Sequence, residues 1–128
     1  MISSLDHLVL TVQDVLATCA WYERVLKMEM VTFADGTRVA LVFGSQKINL
    51  HPADEPISPH AQTPISGSAD LCFLSSVSLR EVQSHLYACG IRVELGPVER
   101  TGAQGAIKSL YIRDPDGNLI EISEPLYS

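Results

Sequence analysis

The run DLCFLSS, Asp70 to Ser76, has a counterpart near the start of the chain in HLVLTV, His7 to Val12. Alternation of side chains along the first run puts His7, Val9 and Thr11 on one face and Leu8, Leu10 and Val12 on the other, the period-2 signature of a strand. Each run leads into a helix-start signal. Asp14 is an N-cap ahead of Leu16, Cys19, Ala20, Trp21, Tyr22 and Leu26, and Ser78 faces Glu81 three residues on, ahead of Val82, Leu86 and Cys89. Gly90 suits the left-handed position that ends many helices.

The segments after the two helices repeat as well. Residues 28–51, MEMVTFADGTRVALVFGSQKINLH, predict three short strands broken at Asp35-Gly36 and Gly44-Ser45. Residues 91–98 (IRVELGPV), 106–113 (AIKSLYIR) and 118–123 (NLIEIS) predict three more, with ERTGAQG as a loop and DPDG, residues 114–117, as a turn. The chain therefore reads as α+β, with module one at 1–51, a linker at 52–69 and module two at 70–128, together one domain. The linker holds four of the seven prolines, too many for a helix or a central strand.

At 128 residues with 46% hydrophobic content, the chain can bury a core. A net charge of -6 argues against a nucleic-acid partner, because phosphates must be met by cations. Small molecules are the expected partners. No signal peptide and no apolar run of membrane-spanning length is readable, so the expectation is a cytoplasmic protein without a membrane partner. Cys19, Cys72 and Cys89 are odd in number and widely spaced, which predicts reduced, buried, structural thiols.

The repeat makes His7 and Asp70 pseudo-equivalent. It also matches Asn49 in QKINLH with Glu121 in NLIEIS, while His51 lies two residues further along the face of Asn49. Glu121 points opposite to Ile120 and Ile122, into a face where an unpaired carboxylate is costly. A histidine in a strand is more often a hydrogen-bonded core or edge residue than a ligand. Ser109, Tyr111 and Arg113 share one face of the seventh strand, either as plain strand surface or as a substrate-holding row. Arg100 and Thr101 flank the glycine-bearing loop, where substrate contacts are common. His60 and His85 read as solvated.

A doubled β-α-β-β-β chain with DHLVLTV, WYERVLKMEM and a terminal DPDGNLIEISEP resembles the vicinal oxygen chelate superfamily over nearly its whole length. That group spans glyoxalases, fosfomycin thiol transferases, extradiol dioxygenases and bleomycin-resistance proteins. Small glyoxalase-domain proteins are the closest likeness, through FGSQKINLHP, GPVERTGAQG and SLYIRDPDGNLIE.

The resemblance implies paired modules curling into a U-shaped mixed sheet with helices on the outer face, and a homodimer. It implies a divalent metal ion (Zn, Ni, Mn, Fe or Co) held by His7, His51, Asp70 and Glu121, with Glu121 also the catalytic base. The family's fourth-strand carboxylate falls on Asn49, a weak ligand, which is why His51 on the same face is preferred as donor. Ser109 and Tyr111 resemble the serine and tyrosine that hold a phosphonate in fosfomycin transferases, and with Arg113 form the expected substrate contacts. The implied activity is a metal-dependent lyase or isomerase of the glyoxalase type acting on a small substrate with vicinal oxygens. The alternatives are fosfomycin-type thiol transfer and metal-free sequestration of a drug or metabolite.

Overall fold

The computed structural model describes all residues from Met1 to Ser128. The chain divides into two units, Met1–Ser68 and Ala69–Ser128, and each is one β-α-β-β-β module with its own four-stranded mixed sheet. The doubled α+β architecture expected from the sequence is the one found.

The first unit contains β1 (His7–Val12), α1 (Val15–Leu26), β2 (Glu29–Phe33), β3 (Arg38–Phe43) and β4 (Gln46–Pro52), in the sheet order β1-β4-β3-β2. Asp14 caps α1 by accepting a 2.9 Å hydrogen bond from Ala17 N. Period 2 then separates two faces. Leu10, Val12, Leu41, Ile48 and Leu50 are buried on the side where α1 supplies Cys19, Tyr22 and Val25. Each such aliphatic side chain contributes about 1.5–3 kcal/mol, enough to fix which face turns inward. The opposite face carries His7, Arg38, Ala40, Lys47, Asn49 and His51.

The proline-rich segment belongs to this unit. Ala53 N donates to Val12 O at 2.9 Å, extending the β1–β4 ladder, and Gln13 Nε2 donates to Ser66 Oγ at 2.7 Å. It is therefore tied at one end to β1 and at the other to Gln13, the residue after β1.

The second unit contains β5 (Asp70–Leu74), α2 (Leu79–Ala88), β6 (Leu95–Thr101), β7 (Ala106–Arg113) and β8 (Leu119–Pro125), in the order β5-β8-β7-β6. Ser78 caps α2 through Glu81 N. Leu110, Ile112, Ile120 and Ile122 bury one face of the sheet, and Leu79 and Leu86 of α2 are buried as well.

The two modules share one register. In the first, His7 pairs with Lys47 and Val9 with Asn49; in the second, Asp70 pairs with Leu119 and Cys72 with Glu121. The pseudo-equivalence of His7 with Asp70, and of Asn49 with Glu121, thus holds strand for strand.

The sixth strand departs from expectation. It begins at Leu95 rather than Ile91 and runs through Arg100 and Thr101, which pair with Ile107 and Ala106. The register shifts between Leu95 and Val98, where Gly96 at φ +114° brings the backbone against β7; a Cβ there would lie 2.5 Å from Ser109 O. Only Gly102 to Gly105 is needed to turn the hairpin, closed by Gly102 N to Gly105 O at 2.8 Å.

Candidate functional site

In the second unit a hydrogen-bonded turn fixes the ends of the strands that carry the acids. Asp114 Oδ1 accepts from the backbone N–H groups of Asp116 and Asn118, and Asp114 Oδ2 accepts from Asn118 Nδ2 at 2.8 Å. Asn118 Oδ1 in turn accepts from Ala69 N, and Leu119 N donates to Ala69 O. The DPDG turn therefore pins β5 beside β8 at the level of Asp70. Glu121 lies two positions further along β8 on the same face, about 7 Å along the strand and one strand across.

Glu121 is half-buried and held from behind. Ser109 Oγ donates to its Oε2 at 2.6 Å, and Ser123 Oγ lies 3.5 Å from the same oxygen and 2.6 Å from Ser109 Oγ. Both serines have 0% exposure. The network ends at Cys72 Sγ, 3.3 Å from Ser123 Oγ. Both hydroxyls address Oε2, so Oε1 is the oxygen left without a hydroxyl partner.

Cys72 and Glu121 border a cleft of about 480 Å³ that is also lined by Leu74, Arg100, Ile107, Tyr127 and residues 101–104. It falls in the size range of small-molecule sites. Partial desolvation raises the pKa of the Cys72 thiol, the Ser123 hydrogen bond works in the opposite sense, and the Glu121 carboxylate adds to the rise. Cys72 is exposed, not the buried structural thiol expected; Cys19 is buried, and none of the three cysteines is in a disulfide.

The expected substrate row is distributed differently. Ser109 has no exposed surface and serves Glu121. Tyr111 Oη accepts from Arg100 Nε at 3.0 Å. Arg113 forms a bidentate pair with Glu94, Nε to Oε1 at 3.0 Å and Nη2 to Oε2 at 3.1 Å, and also donates to Gly117 O. That fork is fully engaged by a carboxylate on the strand-less segment before β6, a partner that period 2 along β7 does not reveal. Arg100 lines the cleft, as its place beside the loop allowed; Cys72, Gln104 and Tyr127 were not anticipated there.

In the first unit His7 is exposed at the start of β1, with Nδ1 2.9 Å from Asp6 Oδ2. A carboxylate on Nδ1–H fixes the tautomer and leaves the Nε2 lone pair outward, the arrangement by which metal-binding imidazoles are usually oriented. His51 is placed differently. Its Nε2 accepts from Arg38 Nη2 at 3.1 Å, so the neutral ring carries its proton on Nδ1, which is buried and unpartnered. Burial, then Arg38, then His60 lower its pKa.

The register also separates the two imidazoles. His7 pairs with Lys47, four residues before His51, so about 13 Å of strand lies between them, whereas nitrogens on one ion lie within about 4 Å of each other. Side chains stand perpendicular to the sheet and do not close such a gap. His51 is therefore not the co-ligand of His7 that the sequence suggested. Asn49, its neighbour on that face, is 5% exposed with Oδ1 unpartnered. His60 is exposed as expected, while His85 is half-buried with Cys89 Sγ 3.5 Å from Nε2. No group of three or more His, Cys, Asp or Glu side chains is gathered where it could hold a metal ion. No helix is long and apolar enough to cross a membrane.

Comparison with known proteins adds an independent line. A family model described as Glyoxalase/Bleomycin resistance protein/Dioxygenase superfamily matches residues 4–122. The virulence protein STM3117 of Salmonella typhimurium is 54% identical over 124 residues, 97% of this chain and 85% of that protein. Its crystal structure matches with a TM-score of 0.95 at 53% identity, covering 98% of this chain and 99% of that one. The glyoxalase domain-containing protein RDO1 of Mycosarcoma maydis is 52% identical over 122 residues, 95% of this chain and 68% of that protein. The structure of lactoylglutathione lyase from Agrobacterium tumefaciens matches with a TM-score of 0.72 at 27% identity, covering 96% and 94% of the two chains.

Proposed function

Because the chain belongs to the glyoxalase/bleomycin resistance protein/dioxygenase superfamily, we propose that it is a metal-dependent lyase or isomerase of the glyoxalase type, acting on a small substrate with two adjacent oxygens. The observation that carries this reading is Glu121: a half-buried carboxylate at a small-molecule cleft, with one oxygen fixed by fully buried hydroxyls and the other left for chemistry.

His7, Asp70 and Glu121, which the structure does not gather into one cluster, are the donors proposed for a divalent cation. Two features of the donors support the assignment: Asp6 orients the His7 ring, and Ser109 orients the Glu121 carboxylate. Mixed imidazole and carboxylate donors suit Zn, Ni, Mn, Fe or Co. Bound there, the cation would supply Lewis acidity to a pair of substrate oxygens. The residues do the rest. The side chains of Leu74, Ile107 and Tyr127 give the cleft apolar walls, and Glu121 accepts a proton from the carbon next to a substrate carbonyl. Ser109 and Ser123 keep that carboxylate from rotating away. His51 has no part in holding the ion in this reading. Assembly as a homodimer and a cytoplasmic location complete the proposal.

A second reading is favoured by the same apolar lining: metal-free sequestration of a small apolar molecule, with Glu121 a polar anchor. Thiol transfer to an epoxide is the third. Metal content after reconstitution with Mn, Ni, Zn and Fe separates the first from the second. The wild type retains metal, and His7→Ala and Glu121→Gln lose most of it. Equal absence of metal from all three preparations defeats the enzymatic reading. Turnover of methylglyoxal hemithioacetals, but not of fosfomycin with glutathione, then separates the first from the third.

A further inference from the structure

The cleft of the second unit contains one cation, Arg100, and it is in no ion pair. Its hydrogen bonds go instead to neutral groups, Nε to Tyr111 Oη at 3.0 Å and Nη1 to Glu99 O at 3.2 Å. The guanidinium carbon lies 5.7 Å from the centroid of the Tyr111 ring. Two hydrogen bonds and an aromatic face hold the fork in one orientation and leave its Nη2 edge unengaged. Contrast Arg113 on the next strand, whose fork is used up by Glu94.

A preorganised guanidinium without a carboxylate partner is a receptor for an oxyanion. Thr101 and Gln104 add hydroxyl and amide groups to the same lining, while Leu74, Ala103, Ile107 and Tyr127 supply apolar walls. Tyr111, which steadies Arg100, is the cross-strand neighbour of Glu121. Arg100 on β6 is thus linked through Tyr111 of β7 to β8, the strand that carries the carboxylate assigned to proton transfer.

We infer that the cleft selects small molecules with an apolar body and an oxyanionic end group, carboxylate or phosphate, and that Arg100 is the residue that reads the anion. This deepens the proposed function, since it rests on the same cleft holding the substrate, but it concerns binding alone. The anion compensates the guanidinium, the body covers Leu74 and Ile107, and the remaining polar groups of the ligand are left toward Glu121.

The test is a set of NMR and calorimetric titrations on the full chain in the presence of a chelator, so that neither metal retention nor turnover enters the readout. Two matched pairs distinguish the anion's chemistry: mandelate against mandelamide, and phenyl phosphate against phenol. At least one anion is expected to bind saturably, to move the Arg100 Hε and the 101–104 amide resonances, and to exceed its neutral partner in affinity by about tenfold or more. Arg100→Gln removes that preference with an unchanged far-UV circular dichroism spectrum, as befits an exposed side chain. Arg100→Lys keeps charge but not the hydrogen bond to Tyr111, and retains only part of the preference. No saturable binding of either anion, equal affinity for charged and neutral partners, or undiminished preference in Arg100→Gln overturns the inference. A chain that binds no metal yet keeps the anion preference refutes the enzymatic reading and leaves this one standing.

Discussion

Ser109 Oγ donates a 2.6 Å hydrogen bond to Glu121 Oε2 from a position with no solvent exposure. The donor is itself in contact with the Ser123 hydroxyl, so the carboxylate rests on a buried two-hydroxyl shelf that no solvent molecule can replace. Ser109→Ala leaves that carboxylate oxygen short of its main donor. A loss of about 1–3 kcal/mol in unfolding free energy is expected from urea melts. Ser123→Ala costs less, because its own approach to Glu121 is 3.5 Å. The double variant is expected to cost less than the two losses added together, since the residues act as one network.

Acid sensitivity is expected from His51. Burial first, and Arg38 second, hold its pKa below the ordinary imidazole value of 6.5. The folded chain then binds fewer protons than the unfolded chain in that window. Stability from this residue is complete above about pH 6.5 and is lost as pH falls toward the depressed folded value. The urea midpoint of the wild type should drop between about pH 8 and about pH 5, and the drop should be smaller in His51→Gln. Equal slopes in both proteins would remove His51 as the cause.

The Gly102–Gly105 turn shapes one cleft wall. Gly105 has φ +150°, and a Cβ there would lie 2.8 Å from Tyr127 Cδ1. Gly105→Ala is expected to displace the Tyr127 ring, read as a shift of its aromatic resonances, and to destabilise by about 1 kcal/mol or more. Gly117, at φ +87° with open space around it, is the control: alanine there strains the backbone but leaves Tyr127 where it is.

Arg113 is expected to be silent in ligand binding. Its hydrogen bonds to Glu94 hold that carboxyl below its ordinary value of 4.5. Arg113→Ala should return the Glu94 carboxyl, followed by carbon-detected NMR, toward that value. Mandelate affinity should change by less than about twofold, as for other exposed pairs. A tenfold loss would restore Arg113 to the substrate row.

What was legible in the sequence was the repeat and its faces. Alternation in HLVLTV and DLCFLSS placed His7 opposite Leu8 and Leu10, and the registers of both modules agree with the alignment of Asn49 on Glu121. The caps at Asp14 and Ser78 were readable because a cap is a local bargain between neighbours. Partner choice was not readable. Period 2 put Ser109, Tyr111 and Arg113 on one face, but whether each turns to Glu121, to Arg100 or to Glu94 depends on residues 11 to 19 positions away. His51 illustrates the same limit: sharing a face with Asn49 did not disclose that Arg38 occupies its Nε2. The late start of β6 came from a shift in pairing at Gly96, which depends on how closely another strand's backbone approaches.

Identical strand registers in the two halves mean that one lattice point holds an amide in the first copy and an acid in the second, Asn49 and Glu121. Each sits on the side of its sheet away from the aliphatic packing, so exchanging the group there alters reactivity while the scaffold beneath stands unaltered. A doubled blueprint of this kind lets one copy specialise in chemistry and frees the other to drift. Asn49→Glu would put a carboxylate at a position that is 5% exposed, and a loss of stability is expected from urea melts.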